Sequence, residues 1–580
     1  MPSRLILPLL LALPCASAAQ SIIGARDSLT ARVDTIFQRW DRTDSPGCAV
    51  GIYRDGRILY ARGYGMANLE LGVPITPHTM FAIASITKMF TATAVVLLAQ
   101  DGKLSLADPI RRFFPEMPPY ADSITVRQLL DHTSGIDNPA RLIALAGGRL
   151  MLDPAGNNSF VPSTLDLLRM ITRAAGTTFP PGTRVAYNNQ AYQLAGELIA
   201  RASGQSLAAF LATRVFDPLG MRDTRMTMGH ALVPDRAQGY SPRGNPFAIN
   251  MPEGDGTGSA GVWSNIEDFA RWEHNWIEPT VGGRALLDSL IVRSTLREGS
   301  TIPWALGIAV ERYRGLMTYS KDGDVPGFLS TYLRFPGPRW SVAVFCNLNY
   351  DIEEPDALAR KVAAVYLGPQ MTPLSQPPTA WEAALLAEPR VIVPVEELRR
   401  LAGVWRDAAG RGSPIRIAGD TIVPPPPLVP LGNNRFRNDR AEWVFDFDAT
   451  PPRLRIRDRD TTRILERAPV TQPMAAPRLS IAQLAEYAGD YYNAELETIY
   501  TLAADSAHSS ARQAPDVAIA IRIGGHLFGT LRPVSRDTFA FAGSQLTGMT
   551  FVFARDERGR PAGVTIQSAG ARSIEFARRP

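Results

Sequence analysis

The chain has 580 residues, 45% hydrophobic and 20% charged, with a formal net charge of +5. That length implies two to four domains and at least one large buried core, and it excludes a single small module. The basic excess is dispersed along the chain, which excludes an extended nucleic-acid surface and a highly charged disordered protein.

Residues 1–18 read as a signal peptide. Arg4 precedes an apolar stretch from Leu5 to Leu13, and Ala16-Ser17-Ala18 supplies the small residues a cleavage site needs. The stretch is too short for a bilayer span and is interrupted by Pro8 and Pro14, so the expected location is secreted or periplasmic. After cleavage Cys48 and Cys346 remain, each in a strand-like run, and both are expected as buried free thiols. Gly47 to Tyr64 predicts two strands around the turn Arg54-Asp55-Gly56-Arg57. Ser85 to Gly102 predicts a helix apolar nearly all round, hence buried, with Gly102 as its terminator. Further helices are expected over Ser163 to Ala174, Gln190 to Ser203, Ile266 to Trp276 and Glu354 to Tyr366, with strands returning between Leu316 and Cys346. Strands at both ends with helices between them imply one sheet built from both termini, an α+β domain spanning 27–368.

Pro373, Pro377 and Pro378 mark a linker over 369–393. Beyond it helical periodicity fades into short strands, among them Phe436 to Asp448, Thr538 to Phe541 and Thr550 to Phe553, with a proline run at Pro424 to Pro427. Leu398, Leu401, Ala402, Gly403 and Trp405 recur as Leu484, Tyr487, Ala488, Gly489 and Tyr491. Two copies of one β unit are the simplest account, giving two small antiparallel β-barrel domains over 394–470 and 478–580.

Three short segments carry chemistry. The chain has four lysines (Lys88, Lys103, Lys321, Lys361) among 61 basic residues, and two of them fall inside these segments. Lysine can lose its proton when desolvated or beside another cation, whereas arginine cannot. In Ser85-Ile86-Thr87-Lys88 the lysine lies one helical turn from the serine, where apolar walls would depress its pKa toward that of a base. Alone, Ser85 reads equally as a helix N-cap. In Tyr187-Asn188-Asn189 a phenol near cationic lysines can be deprotonated or can relay a proton, and Asn189 has a donor and an acceptor for a substrate amide; alone the tripeptide reads as a helix cap. In Lys321-Asp322-Gly323 the glycine lets a substrate approach the strand edge and the lysine adds positive potential; alone it is a surface turn.

Ser-x-x-Lys followed by Ser-Asp-Asn and Lys-Thr-Gly marks class A β-lactamases and penicillin-binding proteins. With Tyr-x-Asn in the middle place, this chain more closely resembles the class C β-lactamase branch of that superfamily, which includes D-aminopeptidases, esterases and DD-peptidases. Leu129 to Gly135, Pro218 to Met221, Gly258 to Trp272 and Gly327-Phe328 extend the resemblance over roughly residues 27 to 368, and the two-barrel tail resembles that of D-aminopeptidase-type members. The resemblance implies a β-lactamase/transpeptidase-like fold with Ser85 as nucleophile, Lys88 as general base and Tyr187 as proton relay. It further implies Asn189, Lys321 and Gly323 as substrate contacts, and an oxyanion hole from the backbone N–H groups of Ser85 and Asp324. Relatives that bind carboxylated substrates place a hydroxyl where this chain has Asp322, and Asp324 adds a second acid. Two acids disfavour a free carboxylate and favour an amine. The expected substrate is therefore a small amino-terminal peptide or an ester. The alternatives are a β-lactamase or DD-carboxypeptidase acting on penicillins or cell-wall peptides, and a non-catalytic penicillin- or envelope-binding sensor.

No cofactor or metal is expected, since the six histidines lack ligand spacing. His132 reads as a structural hydrogen-bonder in its turn. Gly256 to Gly261 matches a dinucleotide fingerprint but follows no clear strand, and reads instead as a wall of the site. The partner expected is a small-molecule or peptide substrate and no nucleic acid, and the tail stays open between a structural platform, a cell-envelope binding module and a gate over the site. Asp505 to Pro515 is the segment expected to gate the site, and the oligomeric state stays open.

Overall fold

The two ends of the first 370 residues meet in one antiparallel sheet. The computed structural model describes residues 22–579 apart from 138–144, 146–169, 172, 228–230, 243–246, 253–257, 350–353, 374–379, 389–390, 392, 407–411, 419–420, 424–427, 438–440, 458–461, 468–478, 506–517, 525, 543–548 and 568–571. The leader, the proline run, nearly all of the helix expected at Ser163 to Ala174 and the expected gating segment fall outside the described residues.

The first strands are β1 (Ile22–Gly24), β2 (Cys48–Arg54) and β3 (Arg57–Tyr64), and the last four are β4 (Ala309–Tyr313), β5 (Leu316–Val325), β6 (Phe328–Phe335) and β7 (Trp340–Cys346). They lie in the order β1-β3-β2-β7-β6-β5-β4. The β2–β3 turn has Asp55 at φ 52° and Gly56 at φ 74°, the paired left-handed conformation that an Asp-Gly hairpin favours. Both faces of the sheet are covered. Val50, Ile52, Val342 and Val344 pack against α1 (Ser28–Phe37) and the helix Pro355–Leu367. Their neighbours Ala49, Tyr53, Ala343 and Phe345 join the core of the helical part. Strands covered on both faces bury every residue, and β6 and β7 are buried along their whole length.

The expectation of free thiols is corrected here. Cys48 and Cys346 are register partners on neighbouring strands, with Cα atoms 4.0 Å apart, and form a disulfide. Each cysteine taken in its own strand carries no sign of this, because pairing register is a property of the folded sheet.

Within the helical part, α2 (Thr87–Gln100) is buried from Thr87 to Leu98, as an all-round apolar pattern requires. The structure differs at its start. Ser85 lies in a 3₁₀ turn, Ala84–Ile86, that precedes the helix. The helices α3 (Val126–Leu130), α4 (Asn189–Ser203) and α5 (Ile266–Ile277) pack around α2, and α6 (Pro355–Leu367) closes the domain.

Beyond it a helix, Ala380–Ala387, stands inside the expected linker, with Trp381 beneath the Arg457 guanidinium, 4.3 Å from it. Eight strands between Gly403 and Arg467 form one antiparallel sheet, and eight between Gly489 and Arg578 form a closed barrel. The repeated segment has one design in both copies. A short helix leads into a glycine with φ of +147° (Gly403) or +141° (Gly489). An added Cβ would lie 3.2 Å from Arg467 Nε in the first copy and 3.1 Å from Arg578 Nε in the second. Those arginines, from the last strand of each unit, donate to the carbonyls of Ala402 and Ala488. The ring following each glycine caps the helix end: Trp405 Nε1 donates to Leu401 O at 3.0 Å and Tyr491 OH to Tyr487 O at 3.1 Å. The closed barrel also takes Leu145, from the helical part of the first domain, into its own core.

Candidate active site

The turn holding Ser85 is fixed from both sides. Ile83 N donates to Val262 O at 3.0 Å, and Ser330 Oγ donates to Ile83 O at 2.9 Å. Gly323 on β5 passes so close that a Cβ there would stand 2.5 Å from Ile83 O and 2.9 Å from Ala84 Cβ; only glycine lets the strand lie against the serine turn. At the second residue of α2, one turn beyond Ser85, Lys88 is fully buried. Its Nζ lies 2.9 Å from Ser85 Oγ, 2.8 Å from Asn189 Oδ1 and 2.8 Å from Ser259 O. The Ser259 carbonyl is held there because Thr91 Oγ1 donates to Gly258 O and Val262 N donates to Thr87 Oγ1. Of the expected wall Gly256 to Gly261, the described part from Gly258 onward lines Lys88 in this way.

Tyr187 OH donates to Ser85 Oγ at 2.9 Å. Its ring packs on His132, with centroids 4.4 Å apart. The next residue, Asn188, caps α4 and also donates from Nδ2 to Ile136 O at 2.7 Å, while its backbone N–H donates to His132 Nδ1 at 3.2 Å. Ala186 N to His132 O, Gly182 N to Thr133 O and Thr178 N to Gly135 O continue the pairing. Tyr187 therefore rides on a strip, 178–188, zipped to a second strip, 132–137.

Lys321 Nζ donates to Asp322 O at 2.6 Å and sits 5.4 Å from the Tyr187 ring and 5.7 Å from the Trp304 ring. β4 pairs with β5 as far as Ser320, so among the described strand pairings Lys321 to Val325 keep one edge free. A cavity of about 380 Å³ is lined by Ser85, Tyr187, Asn189, Lys321, Gly323 and Asp324. The lining also includes Asp322, Glu354 and Asp356, making four acids with Asp324, of which Asp356 is paired with Arg360 at 2.6 Å. Asn189, expected to grip the substrate, spends its carboxamide oxygen on Lys88.

These surroundings set the protonation states. Burial, and then the Lys321 charge, push the Lys88 ammonium well below its ordinary pKa. Burial lowers Lys321 to about 8 against the opposing pull of Asp322. Tyr187 runs against the expectation drawn from its neighbouring lysines: although part of the residue is exposed, desolvation of the phenol outweighs its hydrogen bond to Ser85 and, with Asp322 nearby, raises it to about 12. Enclosure raises Asp322 despite its bond from Thr331, with Asp356 adding to the shift, and raises Asp324, with Glu354 adding. His132 is held well below the usual histidine range by burial, Lys88 and Lys321. Among the described residues no group of three or more His, Cys, Asp or Glu side chains could hold a metal ion.

Sequence reasoning missed Trp304, Glu354 and Asp356. The two acids open α6, where they read as ordinary N-terminal helix residues, and nothing local to Pro303-Trp304 points toward a site.

A serine whose hydroxyl lies between a buried lysine and a tyrosine, on a sheet flanked by helices, defines a serine acyl-transfer site on a β-lactamase/transpeptidase-like fold. The family model described as Beta-lactamase matches residues 33–367, and the chain belongs to the β-lactamase family of serine hydrolases. It is similar to a D-aminopeptidase of Gluconobacter oxydans (strain 621H), 28% identical over 360 residues covering 61% of this chain and 66% of that protein. A D-aminopeptidase of Cereibacter sphaeroides is 26% identical over 458 residues, covering 78% and 80%. Protein flp of Staphylococcus aureus (strain MW2) is 27% identical over 330 residues, covering 55% and 63%. The chain thus spans just under two-thirds of the first and third of these relatives. Among solved structures, the octameric penicillin-binding protein homologue from Pyrococcus abyssi shares the fold with a TM-score of 0.52 at 18% identity, over 95% of this chain and all of that one.

Proposed function

We propose that the protein is an exported serine hydrolase that forms an acyl-enzyme on Ser85 and cleaves amide or ester bonds of small substrates bearing a free amino group. The observation that carries this reading is the continuous path from Lys88 Nζ to Ser85 Oγ to the Tyr187 hydroxyl, 2.9 Å at each step. A neutral Lys88 directs its two N–H groups at Asn189 Oδ1 and Ser259 O, which leaves its lone pair for the Ser85 hydroxyl. Ser85 Oγ then attacks the substrate carbonyl carbon while Lys88 takes the proton. The N–H groups of Ser85 and Asp324 are the donors assigned to the oxyanion. Tyr187, kept protonated by its raised pKa, gives its proton to the leaving nitrogen or oxygen and recovers one from the Lys88 ammonium. Lys88, neutral again, takes a proton from the water that attacks the acyl carbon, and returns it to Ser85 Oγ as the C–O bond to Ser85 breaks and the acid is released.

The acids that line the cavity, Asp322, Asp324 and Glu354 beside the Arg360-paired Asp356, favour an ammonium group and repel a carboxylate. The two relatives named D-aminopeptidase agree with an amino-terminal substrate. Export is supported by the Cys48–Cys346 disulfide, a bond that persists in oxidising compartments.

Steady-state assays should show turnover of D-amino acid amides and p-nitroanilides, loss on N-acetylation of the substrate, and poor turnover of penicillins. Rapid penicillin hydrolysis with no cleavage of D-amino acid amides would overturn the amine reading. An acyl adduct seen by intact mass after an activated ester, absent in Ser85→Ala, checks the nucleophile. N-terminal sequencing of the native protein checks export: an uncleaved chain in the cytoplasm contradicts it.

A further inference from the structure

We propose that the second β-barrel is a working part of the active site, with Arg572 as a positioning residue that holds Tyr187 in place through Asp137. Arg572 lies two residues before the barrel's last strand, Ile574–Arg578, and its guanidinium lies between two carboxylates. Nη2 is bonded to Glu495 Oε1 of the same barrel and is 3.8 Å from Asp137 Oδ2 of the catalytic domain. The Asp137 side chain is 2% exposed and that of Glu495 10%, so the charges interact through protein rather than water.

The barrel rim that presents Arg572 is braced. Asn493 donates from Nδ2 to Glu575 O at 2.7 Å and accepts from Leu496 N at 2.6 Å, tying the first hairpin to the last strand. Three more contacts seat the same rim on the catalytic domain. Tyr500 OH donates to Leu145 O at 2.5 Å, Leu145 enters the barrel core, and Arg173 pairs with Glu497 at 2.7 Å.

On the catalytic side, Asp137 ends the strip that supports the tyrosine. Its neighbour Ile136 accepts from Asn188 Nδ2, and Asn188 follows Tyr187 directly. The strips have no slack between them: Gly135, at φ +69°, runs so close to the partner strip that a Cβ there would stand 2.2 Å from Phe179 O. His132, at the other end of the supporting strip, carries the Tyr187 ring. A shift of Asp137 therefore moves the wall on which the phenol rests, whereas Ser85 and Lys88 belong to α2 and its turn and have no part in this path.

The consequence is specific to one chemical step. A displaced phenol weakens proton delivery to the leaving group and leaves the serine and its base in place. The loss falls on kcat for substrates whose leaving group needs a proton, and spares esters that expel a stable anion. In the full-length protein, Arg572→Met should lower kcat on an amino acid p-nitroanilide by about tenfold, with KM changed less than about threefold. Turnover of the matching p-nitrophenyl ester should stay within about threefold of the parent. Arg572→Lys should recover part of the loss, and Asp137→Asn combined with Arg572→Met should add little to either alone. Equal losses on ester and anilide, or no loss on either, would overturn the proposal, the first because it means fewer folded active sites.

The kinetic arm rests on the acyl-transfer reading, and the structural arm does not. Arg572→Met should speed hydrogen exchange at the amides of Ala186 and Asn188, which donate to His132. Unchanged exchange at those amides would overturn the coupling whatever the protein hydrolyses. A parent protein that turns over neither substrate would defeat the hydrolase reading and leave exchange to decide the coupling.

Discussion

The two walls of the active site are built on different terms. Ser85 and Lys88 stand on a turn and a helix whose side chains sit in the largest hydrophobic core, with Lys88 wholly enclosed. Tyr187 is 45% exposed and rests on a strip whose far end meets the second barrel. The base side takes its precision from close packing, which leaves no alternative position for the amine. The relay side takes its precision from hydrogen bonds between loops and from a contact far along the chain. One wall is fixed by the core and the other by an assembly of parts, so substitutions in the two should fail differently.

The sharpest test of the first wall is to remove its chemistry without disturbing its packing. Ser85→Ala and Lys88→Met should each lower kcat/KM by about 10³-fold or more, measured by progress curves on an amino acid anilide. Lys88→Met should change the melting temperature only modestly, because the gain from replacing a buried amine with an apolar side chain of similar length is set against the loss of its hydrogen bonds to Asn189 Oδ1 and Ser259 O. A large fall in melting temperature would mean that Lys88 holds the core together, and the contrast between the walls would fail. On the second wall, Tyr187→Phe should cost about 10²-fold in kcat on the anilide, within the range for loss of a general acid. An equal loss on the ester would show that the phenol does more than protonate a leaving group.

Lys321 lies between the walls, and its titration gives a smaller effect with a defined sign. Held at about 8 in the folded protein, it loses its charge as pH rises through that value. The positive potential that favours the oxyanion declines with it. The expected profile of kcat/KM falls above about pH 8, and Lys321→Arg, which stays charged, should lose that limb even if its overall activity is lower. An unchanged limb in the arginine variant would assign it to another group.

Much of this was legible in the sequence because it is local. The serine and its lysine are one turn apart, the Asp-Gly hairpin declares itself, and the alternation of strand and helix patterns implies a sheet closed by both termini. The repeat around Gly403 and Gly489 was visible as well, although the arginines that complete it, Arg467 and Arg578, lie at the opposite end of each unit where no local pattern links them. What stayed hidden depends on register or burial. The Cys48–Cys346 bond follows from which residues of β2 and β7 face each other. The raised pKa of Tyr187 follows from enclosure that two nearby lysines gave no reason to expect. Asp322 and Asp324 could be placed near the third motif but not on the cavity wall, since the acids Glu354 and Asp356 that complete that wall belong to a helix beyond two further strands.

His132 joins the walls, and it offers the subtlest test of the contrast. It is buried beneath Tyr187 at φ +63°, accepts from Asn188 N–H on Nδ1, and has no hydrogen-bond partner for Nε2 among the described residues. Its Nδ1 contact requires the neutral ring, and burial together with Lys88 and Lys321 holds its pKa well below 6.5. In the unfolded chain the ring takes up a proton near pH 6.5, so below that value the unfolded state binds one more proton than the folded state. Stability should then fall with falling pH, by up to about 1.4 kcal/mol per unit, until the folded-state pKa is reached. Asparagine tolerates the left-handed backbone and keeps an acceptor near the Nδ1 position, so His132→Asn removes the titration at small structural cost. The stability difference between parent and variant, from melting curves at pH 7.5 and 5.5, should shrink by about 1 kcal/mol at the lower pH. A constant difference would mean that the ring is protonated as readily folded as unfolded. The support beneath Tyr187 would then be open to water, and the second wall would owe its position to the barrel contact and the hydrogen bonds of Asn188.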